Sequence, residues 1–300
     1  MRRTFLIIAF ASFVLATAGC NVTPKQPASD ALTSLRPINR ANLADDSPAR
    51  LVPEDVQLYM QFDGFAALRS AQPDDALVEH LWKSLADIRP KGMWTRAEAA
   101  LGMTEEELVD RYFGRRFVII GEKPSTAANI VVLSEVEPAH LSQLPAAMGL
   151  KPIDLGDNVK PFATYHTEDD SLLLAMHDRW LVIASKASET FAGGVLKFAA
   201  GKISLGFTND SIGLAEARKP LADHPGFQDI LPKLPPRGTM LLFTHEASKN
   251  NQHAIVINIT PGNLDARYAG HIEKWKDLYA QFDHVQGVDF GILPQSAILA

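Results

Sequence analysis

An α+β fold is what this sequence predicts: antiparallel sheets of hairpins and meanders, with helices packed on one face. Apolar residues alternate with polar ones in short segments that recur from Val56 onward, the period of a strand. One pair of segments, residues 171–177 and 180–184, is joined tightly through Asp178-Arg179, as only antiparallel neighbours can be. Helical patterns arrive in clusters between these segments rather than in strict alternation with them, which argues against a parallel βα sheet.

In chain order, residues 56–62 alternate cleanly. Val56, Leu58, Met60 and Phe62 share one side, so the segment reads as a half-buried strand. Residues 64–71 form a short helical piece and 74–88 a better one, with Leu77, Leu81, Leu85 and Ile88 on one face and Asp74 or Asp75 as cap. Glu79 and Lys83 form a favourable pair on its wet side. Thr104-Glu105-Glu106-Glu107 is a capping box: Thr104 as N-cap, Glu107 three residues on, Met103 and Leu108 at the staple positions. Gly114 is expected to end that helix in a left-handed conformation. Strands follow at 116–121 and 129–136, and Pro138 opens a helix to about Met148. Residues 162–166, 171–177 and 180–184 read as a meander. Residues 187–200 read as a helix with Phe191, Val195 and Phe198 on one face, weakened by Gly193-Gly194. Pro220 and Pro225 break helical pieces across 208–232. Residues 239–245, 254–260 and 264–270 read as further strands and 274–282 as a helix.

Leu51-Val52-Pro53-Glu54-Asp55-Val56-Gln57-Leu58 is echoed by Ile292-Leu293-Pro294-Gln295-Ser296-Ala297-Ile298-Leu299, which suggests two similar subdomains, 51–205 and 206–300. The second copy would start a strand as the sequence reaches Ala300, so either a short edge strand forms there or a longer protein continues.

The first residues carry an address. Arg2 and Arg3 precede an uncharged, mostly apolar run at 5–16 (FLIIAFASFVLA), followed by Thr17-Ala18-Gly19-Cys20. The run is too short to span a bilayer, and small residues close it, so it reads as a secretory signal. It resembles the bacterial lipoprotein signal. Ala18, Gly19 and Cys20 match the lipobox, and Thr17 departs from its usual aliphatic residue. The resemblance implies cleavage before Cys20 and acylation of its sulfur and new amino group. One chain binds a membrane marginally, whereas two or three anchor it. Cys20 is the single cysteine of 300 residues, so it has no internal disulfide partner. Asn21 rather than Asp follows it, which leans towards the outer membrane. Residues 20–50 hold Pro24, Pro27, Pro37 and Pro48 among polar residues and read as a flexible tether.

Composition is that of a globular chain, 46% hydrophobic with a mean hydropathy of −0.03. The formal charge is −6, and the first nineteen residues hold two of the arginines and no acid, so the remainder is more acidic still. No Lys/Arg run appears, which argues against nucleic acid and against electrostatic binding to anionic lipid.

The lead-in at Leu51-Val52-Pro53-Glu54-Asp55, the turn Leu101-Gly102-Met103-Thr104 and the hairpin Asp178-Arg179-Trp180-Leu181-Val182-Ile183-Ala184-Ser185 together resemble a family of uncharacterised bacterial secreted proteins and lipoproteins, over about residues 51–220. That resemblance implies a fold and a location. It implies no catalytic residues.

Chemistry-bearing motifs are sparse. Nine histidines make no His-x-x-x-His, and a second thiolate is lacking, so no metal or other cofactor is expected. The best-placed pair is His245 and His253, which flank a predicted hairpin loop with Glu246 beside them; two polar residues at strand ends is the plainer reading. His166 and His177 sit at the ends of another hairpin. Glu168-Asp169-Asp170 lacks the spacing and glycine of a calcium loop and reads as a solvated turn. Neither a nucleophile elbow nor a phosphate-binding glycine loop is present. Trp82 and Trp180 read as packing residues, and Asn21-Val22-Thr23 and Asn258-Ile259-Thr260 match a glycosylation acceptor without consequence in bacteria. The expected function is a non-enzymatic envelope scaffold or interaction module, held through lipid on Cys20 and facing the periplasm with an envelope protein as partner. The alternatives are a binding module for a small apolar or envelope-derived ligand, and an envelope hydrolase around His245, His253 and Glu246.

Overall fold

The computed structural model describes residues 47–65, 93–122, 129–204, 218–234, 239–246, 251–260, 263–271 and 297–299. They build one antiparallel sheet. Its strands are β1 (Leu58–Phe62), β2 (Phe117–Gly121), β3 (Ile130–Glu135), β4 (Lys151–Ile153), β5 (Ala163–His166), β6 (Leu172–His177), β7 (Trp180–Ser185), β8 (Met240–Glu246), β9 (Asn251–Thr260), β10 (Asn263–His271) and β11 (Ala297–Leu299). Their spatial order is β11-β10-β9-β8-β1-β2-β3-β7-β6-β5-β4. The α+β class with an antiparallel sheet is as the alternation predicted. β11 pairs antiparallel with β10 at one end of the strand order among the described residues. The other edge, β4, carries Pro152, which cannot donate to a further strand.

β8 returns to pair with β1, Phe62 opposite Met240 and Leu58 opposite Thr244. The expected units 51–205 and 206–300 therefore share one sheet, and one core cluster runs from Ala49 through Leu196 to Ala269. The boundary at 205/206 lies outside the described residues. So do Cys20, most of the tether, most of the helix expected at 64–71, the helices expected at 74–88 and 274–282, and Trp82.

Helices lie on both faces of the sheet, where the sequence predicted one. On one face sit α5 (Glu189–Ser204) and α6 (Pro225–Ile230), packed over Tyr59, Val118, Leu133, Val182 and Phe243. On the other sit α1 (Met93–Leu101), α2 (Glu105–Phe113), α3 (Pro138–Leu141) and α4 (Leu144–Met148), packed with Leu58, Phe62, Phe117, Val132 and Leu181. β1, expected half-buried, is buried at all five positions. The physical sign lay in its neighbours. Val118-Ile119-Ile120, Val131-Val132-Leu133 and Leu172-Leu173-Leu174-Ala175 are continuous apolar runs, the pattern of strands covered on both sides.

The capping box is present. The Thr104 N–H donates to Glu107 Oε2 at 2.8 Å, and Thr104 Oγ1 accepts from the Glu107 N–H at 3.3 Å. The carboxyl accepts from the Thr104 N–H and, at 3.1 Å, from the Thr104 hydroxyl, which lowers the pKa of the exposed Glu107. Leu108 is buried and Met103 packs partly against the same core. Gly114 differs from expectation: it ends α2 in right-handed geometry, its N–H donating to the Asp110 carbonyl at 3.0 Å. The left-handed residue is Gly64, at φ +100, and a Cβ there would collide with the Gly114 carbonyl. The segment after Pro138 breaks into α3 and α4, and Gly149 at φ +63 ends α4. In α5 the sheet-facing stripe is Ala192, Val195, Leu196, Ala199 and Ala200 rather than Phe191, Val195 and Phe198. Small residues let the helix lie close to the sheet. Both phenylalanines are half-exposed, and the Lys202 ammonium lies 5.6 Å from the Phe198 ring. Trp180 is buried, as expected.

Candidate functional site

His245 and His253 do not converge. Register places His245 opposite Gln252 and Thr244 opposite His253. An offset of one residue sends the two histidines to opposite faces of the sheet. Glu246 pairs with Asn251. The register therefore does not bring these three residues together into the hydrolase or metal centre held as an alternative to two polar residues at strand ends. Among the described residues, no group of three or more His, Cys, Asp or Glu is arranged to hold a metal. Burial drops His253 to about 4, which keeps it neutral at ordinary pH.

His245 meets a residue the sequence reading passed over. Its ring lies 4.7 Å from that of His224. Its Nε2 lies 3.1 Å from the Glu54 carbonyl, which can only accept, so Nε2 carries the hydrogen. His224 caps α6: its Nδ1 accepts from the Phe227 N–H at 3.4 Å and so bears no proton. Burial, and then the neighbouring His245, push the His224 pKa down. Phe227 stacks edge-on against Phe243 at 4.9 Å and Tyr59 at 5.7 Å. The group ties the segment before β1 to the segment before α6. Pro53 bridges Pro220, the Leu221 N–H donates to the Val52 carbonyl at 2.8 Å, and Arg50 pairs with Asp223 at 2.5 Å. This is a fastening, with its polar atoms spent on one another.

His166 and His177 also part company. His166 pairs with Leu173 near the β5–β6 turn, whereas His177 pairs with Trp180 at the next turn. His166 Nδ1 lies 2.6 Å from Asp170, and Lys186 joins Asp170 and Glu189 at 3.3 and 2.8 Å. The Glu168-Asp169-Asp170 stretch is the solvated turn it was read as. Asp169 Oδ1 accepts from Thr167 Oγ1 at 2.7 Å and from the Ser171 side chain at 2.8 Å and N–H at 3.1 Å, which lowers its pKa to about 2.

The concavity lies elsewhere, on the α5 side, with a volume of about 310 Å³. Pro53, Ala187, Phe191, Gly194 and Val195 form its apolar floor, and Asp55, Glu122, Asn129, Thr190 and Arg218 its polar rim. Four stretches of chain position these groups: the segment leading to β1, the facing ends of β2 and β3, the first half of α5 with Ala187 just before it, and Arg218. Arg218 pairs with Asp55 at 3.4 Å. Glu122 accepts from the Asn129 side-chain amide. Sequence reasoning missed this cleft because its residues come from four separate stretches. The one local sign was Gly193-Gly194, read as a weakness of the helix. A Cβ at Gly194 would meet nothing within 4 Å, so packing does not require a glycine there.

Compared with known proteins, the chain matches no protein-family model and no curated protein. Among solved structures it is similar to one described as "Structure of crystal form I of TP0453", at 9% identity and a TM-score of 0.47, over 85% of this chain and 92% of that one. A likeness that faint leaves the functional reading to the residues themselves. No helix among the described residues is long and apolar enough to cross a membrane.

Proposed function

We propose that the chain is a lipid-anchored protein of a bacterial cell envelope, and that its folded part acts as a non-enzymatic scaffold or protein-interaction module. The observation that carries this reading is the single cysteine at position 20, behind Arg2-Arg3, a twelve-residue apolar run and Ala18-Gly19. A run of that length is a signal rather than a membrane span, and its resemblance to the bacterial lipoprotein signal implies that Cys20 is acylated. The acidic balance of the chain supports anchoring through lipid rather than through charge. Asn21, where an Asp would favour inner-membrane retention, leans towards the outer membrane with the fold facing the periplasm, and the tether would stand the fold off the bilayer.

Metabolic labelling with an alkyne fatty acid, membrane fractionation and in-cell crosslinking test the reading, on wild type beside Cys20→Ala. The expected result is label and membrane residence in wild type, loss of both in the variant, and a reproducible crosslinked envelope protein. Equal fractionation of the two chains would remove the anchor. Membrane residence without a protein partner would remove the scaffold. A second reading, a binding module for a small envelope-derived ligand, is favoured by one observation, the cleft beside α5, whose size is that of a small-molecule site.

A further inference from the structure

We propose that the cleft between α5 and the segment leading to β1 binds a small amphiphile with a cationic head, an alkyl- or arylalkylammonium. The inference deepens the ligand-binding reading and is independent of how the chain is anchored. The floor and the rim ask for different ends of one molecule. Phe191, partly exposed, and Ala187, exposed, give an apolar surface that rewards a short hydrocarbon body. The rim carries two carboxylates and one guanidinium. Arg218 already faces Asp55 at 3.4 Å. Glu122 is met by the neutral amide of Asn129, so the pairing leaves the rim with excess negative charge. An ammonium group has three donors and matches that charge, whereas a carboxylate ligand would meet Glu122 at the cost of repulsion.

Gly194 lines the cleft, and no described atom lies within 4 Å of a Cβ placed there. Gly193 and Gly201 of the same helix are open in the same way, so the glycine by itself does not mark the site. A large side chain at 194 would take up space inside the cleft, which makes this position the probe of it.

The test uses the full-length chain in lipid nanodiscs, with empty nanodiscs as control, and saturation-transfer NMR with phenethylammonium and with phenylacetate. Phenethylammonium is expected to bind about fivefold tighter than phenylacetate, the size of one exposed charge pair. Glu122→Gln should bring that ratio to about one. Gly194→Leu should weaken phenethylammonium by about tenfold or more while leaving the melting temperature unchanged or higher. Binding by Gly194→Leu equal to wild type would overturn the cleft as the site. A lowered melting temperature for that variant would overturn the open floor. Phenylacetate binding as tightly as phenethylammonium, lost in Gly194→Leu, would overturn the ligand class and leave the ligand-binding reading standing. Binding of neither probe would overturn both.

Discussion

On the face under α1–α4, the side chains of β1 and β2 meet as a dry aromatic group. Phe117 stacks on Phe62 at 4.6 Å and on Phe65 at 5.2 Å, with Phe113 edge-on at 5.8 Å. On the face under α5 and α6, the same strands turn up Tyr59, Gln61 and Arg116. The Tyr59 O–H donates to Gln61 Oε1 at 2.8 Å, and Arg116 pairs with Glu135 at 3.1 Å, both side chains buried. That face also carries the His224–His245 fastening and the cleft. The contrast teaches that the two layers serve different ends. The stacked rings between β1, β2 and α2 are dry and stabilise, while Ser134 and Thr244 are buried polar groups elsewhere on the same face. The other face keeps buried polar groups and an open concavity, which cost stability and are worth keeping only where something is to be recognised or positioned.

The largest effect expected to break this contrast is Phe117→Ala, which removes the ring shared by three neighbours. A loss of about 4 kcal/mol in urea unfolding is expected. Phe191→Ala, over the cleft, should cost less, about 2 kcal/mol, because that ring is only partly buried against the edge of the core. Equal costs would mean that the faces are packed alike.

Next is acid. His253 has its pKa lowered to about 4 by burial, against an unfolded value of 6.5. The unfolded chain therefore takes up a proton that the folded chain refuses. This contribution to stability is full above pH 6.5 and is lost as pH falls towards 4, on the order of 3 kcal/mol in all. His253→Leu should flatten that part of the pH profile. His224, lowered in the same direction by burial and by His245, should add a smaller loss below pH 6.5 that persists in the His253 variant.

Thr104→Ala removes the cap of α2 and should cost about 1 kcal/mol. The smallest effect has the opposite sign. Gly194→Ala should raise stability by about 0.5–1 kcal/mol, since the position is helical and its Cβ would touch nothing. A gain at the cleft beside losses under α1–α4 would be the sharpest form of the comparison, read from two thermal melts.

Much of the frame was legible residue by residue. Alternation located β1, and the continuous runs located β2, β3, β6 and β7. Thr104 and Glu107 announced the start of α2 because a capping box needs only four neighbouring residues. Gly114 misled because a glycine after a helix commonly turns left-handed, whereas here the close approach of Gly64 to the Gly114 carbonyl constrains the backbone. The faces of α5 misled because Phe191 and Phe198 outweigh alanines in any apolar count, yet small residues fit against a sheet. The candidate site was hardly legible. His245 and His253 looked paired across a hairpin, and one residue of register separates them. His224 lies 21 residues before His245 in the chain and 4.7 Å from it in the fold.

The sequence by itself determined most of the elements, though not α1 or β4, together with the α+β class and the lipoprotein-like segment ending at Cys20, because each depends on groups a few residues apart whose spacing sets their interaction. Only the tertiary structure decided that β8 closes onto β1, that helices cover both faces, and which polar side chains meet. Those outcomes depend on strand register and helix docking. A shift of one residue reverses every side chain of a strand, and no local pattern encodes which of two well-matched registers is taken.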